Sequence, residues 1–82
     1  MGDFINDPLS LSTEDLNNLK FKPIKIHIGE NNSDIILNVL QGTIFEVGVS
    51  PSTLLPVDIK FENPKGAYKL FRIVEIKKIE LL

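Results

Sequence analysis

The side chains able to do chemistry are few, and they do not gather along the chain. His27 is the single histidine, and the 82 residues contain no cysteine. Acid–base, nucleophilic and metal chemistry all draw on converging His, Cys, Asp or Glu. Here the acids fall at turns and at outward positions of alternating segments. No GxxxxGK[ST] loop, GxGxxG turn or HExxH pair is present. His27 itself lies in Ile24-Lys25-Ile26-His27-Ile28, where strict alternation puts it beside Lys25 on the outward face of a strand. That place suits a solvated or interface residue better than a ligand. The expectation is a protein that is not an enzyme and uses no cofactor and no metal.

Binding is the chemistry that remains. Lys65, Lys69 and Arg72 lie close together with Tyr68, and Tyr68 and Arg72 are the only tyrosine and the only arginine. An aromatic ring and a guanidinium among lysines can hold a single-stranded nucleic acid. The balance of charge opposes this, because the net charge is −2 and Glu62, Glu75 and Glu80 interrupt the basic residues. Alternating Lys and Glu also decorate ordinary strand exteriors, where edge lysines deter aggregation. A second feature is Leu54-Leu55, framed by Pro51 and Pro56. Adjacent leucines in a loop either fold back to cap the core or meet a partner. Taken as an interface, Leu54, Leu55 and Tyr68 are its apolar anchors and Lys65, Lys69 and Arg72 its charged rim.

The elements that position these residues can be read in outline. Ser12 is a helix cap, Glu14 and Asp15 fall in the first turn, and Leu11 and Leu16 flank the cap as a staple. The helix should run from Thr13 to Lys20, since Lys22-Pro23 resists continuation. Strands follow at Ile24–Ile28 and, after the turn-rich Gly29–Asp34, at Ile35–Leu40, whose continuous apolar run predicts cover on both sides. In Thr43–Val49 the alternation groups Thr43, Phe45 and Val47 on one face, with Gly42 or Gly48 marking a bend. Val57–Glu62 alternates again. Asn63-Pro64-Lys65-Gly66 matches a type I turn into a strand over Ala67–Ile73. A kink at Val74-Glu75 precedes a last segment with Ile76, Ile79 and Leu81 inward.

The predicted fold class is therefore mainly β: a small twisted antiparallel sheet, or partly open barrel, of five to six strands with one short N-terminal helix. One domain spans 1–82, with an irregular arm at 1–11, the helix at 12–20 and the sheet at 24–82.

Gly42-Thr43-Ile44-Phe45-Glu46-Val47, Val57–Phe61 and Phe71–Leu81 together resemble the strand order of Sm-like small barrels. The G-x-I-x-x-V strand, the hairpin and the closing Ile76-Lys77-Lys78-Ile79-Glu80-Leu81 are also similar to the YolD-like group of small bacterial and phage proteins. The Asp-x-x-Asn and Arg-Gly signatures with which Sm proteins bind uridine are absent, as is the N-terminal motif of YolD-like proteins. The resemblance implies a fold and transfers no functional residue.

The functional expectation is a small interaction or regulatory module that binds a protein partner or further copies of itself. A phage-encoded inhibitor of a host or defence protein is one form of it. The alternatives are an Sm-like nucleic-acid binder using the basic C-terminal strands and a structural ring or virion component. MGDFINDP lacks the order of a secretory signal, and no apolar run approaches the roughly 18 residues of a membrane span. A cytoplasmic location without membrane contact is expected.

Overall fold

A helix starts where the sequence places its cap. In the computed structural model, which describes residues 3–30, 32–33 and 35–82, the Ser12 hydroxyl accepts a bond from the Asp15 N–H at 3.1 Å. The Asp15 carboxylate accepts one from the Ser12 N–H at 3.0 Å. This reciprocal box satisfies two otherwise orphaned donors and opens helix α1, Thr13–Leu19. The helix ends before Pro23, and Phe21 turns the chain with a left-handed φ of 65°. Leu16 is buried, and Leu11 and Leu19 pack against the same core.

Six strands form one antiparallel sheet: β1 (Asp3–Ile5), β2 (Ile24–Ile28), β3 (Asn38–Val49), β4 (Pro56–Glu62), β5 (Tyr68–Arg72) and β6 (Ile76–Leu81). Their spatial order is β1-β6-β2-β3-β4-β5. The sheet curls because β3 is shared. Asn38–Gly42 pairs with β2, whereas the part from Thr43 onward pairs with β4. Gly42 sits at the change of partner, buried, where a Cβ would run into the Glu62 carbonyl and the Phe61 ring. Curling folds one face of the sheet onto itself and onto α1. The core is Leu16, Ile24, Ile26, Ile44, Ile59, Phe61, Phe71, Ile73, Ile76 and Ile79, chiefly β-branched residues that suit strands. The two ends of the sheet, β1 and β5, remain edges.

The 63–66 turn forms as expected, with the Gly66 N–H bonded to the Asn63 carbonyl at 2.9 Å and Gly66 at φ 86°. The kink after β5 is a 3-10 turn at Ile73–Glu75. Three expectations need correction. The arm at 1–11 is not wholly irregular: Asp3–Ile5 pairs with Leu81–Ile79, and Pro8–Ser10 forms a 3-10 turn. Three residues carry no periodicity, and it is the open edge of β6 that makes them a strand.

Residues Ile35, Ile36 and Leu37 are neither strand nor covered. They are exposed, and β3 begins only at Asn38. A single curled layer has nothing to lay over its outer side, so an apolar run there stays open. Finally, Thr43, Phe45 and Val47 do not share a face. The register shifts between Ile44 and Glu46, so Phe45 stays outward with Thr43 while Val47 beyond the bulge turns in and packs on the core. One inserted residue reverses the facing of the residues beyond it. Of the turn residues at 29–34, Asn31 and Asp34 lie outside the described residues.

Candidate functional site

The outer face of β3–β5 carries a row of aromatic rings that the core does not use. Directly opposed residues share a face, so Glu62 lies beside Tyr68, Lys60 beside Leu70, and Asp58 beside Arg72. The bulge at Phe45 adds its ring to this side. Phe45 meets Tyr68 edge-to-face at 5.1 Å between centroids, and Phe21 meets Phe45 at 5.9 Å. All three are exposed, Phe21 by 65% and Tyr68 by 53%. Phe21 reaches the row because its N–H bonds the Ile44 carbonyl at 3.0 Å, at the point where the bulge interrupts pairing with β4. Its left-handed φ is unusual for a bulky residue.

Charge surrounds the rings. A hydrogen bond to Glu62 raises the Tyr68 phenol above its ordinary 10.0, with partial desolvation and the negative charge of Glu62 adding to it. Lys60 and Glu46 form an exposed ion pair at 3.6 Å. Leu70, exposed by 60%, continues the apolar surface, and Arg72 ends it in a 3.6 Å pair with Glu75. The arrangement can hold a hydrophobic group between polar borders.

The residues expected to bind divide among four places. Tyr68 and Arg72 share the outer face. Lys69 points to the opposite face, with its ammonium 5.3 Å from the centre of the Phe71 ring, beside a cavity of about 300 Å³ lined by Leu40, Phe61 and Asn63. Lys65 is exposed in the 63–66 turn. Leu54 and Leu55 lie at the other end of β4 and do not cap the core, being 72% and 60% exposed. The loop is held by its backbone instead. The Leu54 N–H bonds the Ser50 carbonyl at 2.8 Å, Ser50 N–H bonds the Leu55 carbonyl at 3.0 Å, and Thr13 Oγ1 donates to the Leu54 carbonyl at 3.1 Å. Both leucine side chains stay exposed on this turn.

Phe21 and Phe45 were missing from the expected set. An aromatic before Lys-Pro is a visible signal for Phe21, but nothing in the residue pattern marks the bulge that parts Phe45 from the core-packed Val47. His27 does face outward with Lys25. Its ring lies 6.2 Å from that of Phe4, over which Lys78 places its ammonium at 5.1 Å. Among the described residues, no three His, Asp or Glu gather as a metal ion needs, and no helix is long and apolar enough to cross a membrane. No protein-family model, curated protein or solved structure matches this chain.

Proposed function

We propose that this chain is a small non-catalytic protein-interaction module that docks a protein partner through the Phe21–Phe45–Tyr68 row. The observation that carries this is the row itself: three exposed rings in mutual contact on the one sheet face that no other element covers. Interfaces concentrate binding energy in aromatic anchors with a polar border, and the Lys60–Glu46 pair, Glu62 and Arg72 provide that border here. Protein is favoured over nucleic acid for two reasons. Base stacking runs best along parallel, separately spaced rings, whereas these are locked edge-to-face at 86° and 63°. The carboxylate of Glu62 beside Tyr68, with a net charge of −2, also repels phosphate. Kinship with Sm-like barrels is proposed on the strength of one helix followed by a curled antiparallel sheet with a 3-10 turn before its last strand.

The test is affinity capture from cells that express the protein, comparing wild type with the Phe45→Ser, Tyr68→Ser double variant. Loss of anchors of this kind costs at least about 2 kcal/mol, or roughly thirtyfold in affinity. A protein retained by wild type and lost with the variant is the expected result. Equal capture by both would remove the row from the function. Salt-steep binding of a single-stranded oligonucleotide, abolished by replacing Lys65, Lys69 and Arg72 with Ala, would establish the nucleic-acid alternative.

A further inference from the structure

The two edges of the sheet differ in how they are protected. β1 is three residues long, bears Asp3, and gives way to Asp7-Pro8, so little backbone is open to another strand. β5 is five residues long and contains no proline. Its pairing with β4 runs without a bulge from Asp58↔Arg72 to Glu62↔Tyr68. Lys69, the charge that would ordinarily guard such an edge, is turned to the concave face over Phe71.

The hydrogen-bond alternation tells which backbone groups this edge presents. Asn63 N–H bonds the Ala67 carbonyl at 2.9 Å and Ala67 N–H bonds the Asn63 side-chain oxygen at 3.0 Å, so this is a bonded position of the hairpin. In an antiparallel ladder every second pair is bonded. Phe61/Lys69 and Ile59/Phe71 are then bonded to each other, and Tyr68, Leu70 and Arg72 turn their N–H and C=O groups away from β4. The Arg72 N–H accordingly bonds the Glu75 carboxylate at 3.0 Å instead of a strand partner. The N–H groups of Tyr68 and Leu70, and the carbonyls of all three residues, face the free edge.

We propose that the partner at this edge is a second copy of the chain, with β5 pairing antiparallel to β5 about a two-fold axis at Leu70. In that register Leu70 opposes Leu70, and Tyr68 of each copy opposes Arg72 of the other. The bonding groups match: each Tyr68 N–H meets an Arg72 carbonyl, and each Leu70 N–H meets the facing Leu70 carbonyl. The side chains match as well. Arg72 comes beside the Tyr68 ring on the outer face, Lys69 comes opposite Phe71 on the inner face, and the two leucines meet at the axis. Each cation gains an aromatic ring, and no like charges are opposed. Moving the register two residues one way sets Lys69 against Lys69, and moving it either way shortens the pairing. The contact is isologous and therefore closes at a dimer. It stands on the edge backbone and shares only Tyr68 with the aromatic row.

Sedimentation across a concentration series, with wild type, Leu70→Lys and Leu70→Cys, tests this. Leu70 is exposed in the monomer, so both variants are expected to keep the wild-type circular dichroism and melting curve. Wild type should dimerise, and L70K should weaken dimerisation at least tenfold by facing two ammonium groups at the axis. Opposed residues of a bonded pair have Cα atoms about 5.5 Å apart, within disulfide reach. L70C, the only thiol in the chain, should therefore cross-link under mild oxidation faster than the more exposed Leu54→Cys. A wild type that stays monomeric at about 100 µM, or L70C that cross-links no faster than L54C, would overturn the proposal. If L70K unfolds, the cross-linking comparison decides alone. Phe45, which lies outside the paired edge, separates the two surfaces: Phe45→Ser should lose partner capture and keep dimerisation.

Discussion

Replacing Phe21 with Asn asks whether the aromatic row supports the fold or is supported by it. Three terms set the outcome. A bulky L-residue at φ 65° costs about 1–2 kcal/mol, most of which Asn relieves because its short polar side chain tolerates the left-handed region. Against this, the edge-to-face contact with Phe45 is lost, worth about 0.5–1.5 kcal/mol. So is the burial of about a third of the ring, or roughly 0.5–1 kcal/mol when full burial is worth about 1.5–3. The backbone bond from residue 21 to the Ile44 carbonyl survives, since Asn keeps the N–H. The terms nearly cancel, and the net change should lie within about 1 kcal/mol. Urea unfolding followed by circular dichroism measures it, with Ile24→Ala as the control. Ile24 is fully buried, and its truncation should cost about 2–5 kcal/mol. If F21N costs more than about 2 kcal/mol, the row is a satellite of the core, and its exposure ceases to be an argument for binding.

Two further outcomes rest on single contacts. Glu62→Ala should lower the Tyr68 titration midpoint towards 10.0, read by phenolate absorbance; an unchanged midpoint would show that Glu62 does not hold the phenol. The sign comes from the raised folded value: the contact's contribution to stability is complete below the ordinary phenol range and fades as pH rises through the folded pKa. Leu54→Gly relieves a left-handed residue at φ 60° whose side chain is mostly exposed, while glycine's extra unfolded-chain freedom offsets part of the gain. Thermal melting should show stability unchanged or raised by up to about 1 kcal/mol, and a loss greater than that would restore Leu54 to the core.

The features legible in the residues were those that depend on neighbours in sequence. Ser12 with Asp15, the alternation of Ile24–Ile28 and Val57–Glu62, and the Asn-Pro-Lys-Gly turn are local, and all four sit where they were expected. The failures are tertiary. Asp3–Ile5 becomes a strand only because β6 offers an edge. Ile35–Leu37 stays exposed because apolar composition cannot report whether a covering layer exists. Val47 turns to the core, away from Thr43 and Phe45, because one residue of bulge leaves no compositional trace. The last failure mattered most for function. Grouping Phe45 with the core-packed Val47 hid a ring of the surface row, whereas Tyr68 and Arg72 were visible as singular residue types on a strand exterior.

Phe21 and Leu54 share a property that joins fold to function. They are the non-glycine residues with positive φ among those described, and both expose a large apolar side chain. A domain of this size has about 4–12 kcal/mol of net stability, so two left-handed residues at about 1–2 kcal/mol each take a substantial share. Phe21 offsets most of its cost through the Phe45 contact and the buried third of its ring, whereas Leu54, 72% exposed, returns little of it, and Gly or Asn would hold that turn more cheaply. The structure nevertheless holds both firmly. Helix α1 binds the Leu54 carbonyl through Thr13 at its start, and the chain leaving its end binds the Ile44 carbonyl through Phe21. A helix of two turns, too short to be stable alone, thus anchors two strained apolar projections at its two ends. The strain at Leu54, which burial does not offset, is the part that a contact outside the monomer would account for.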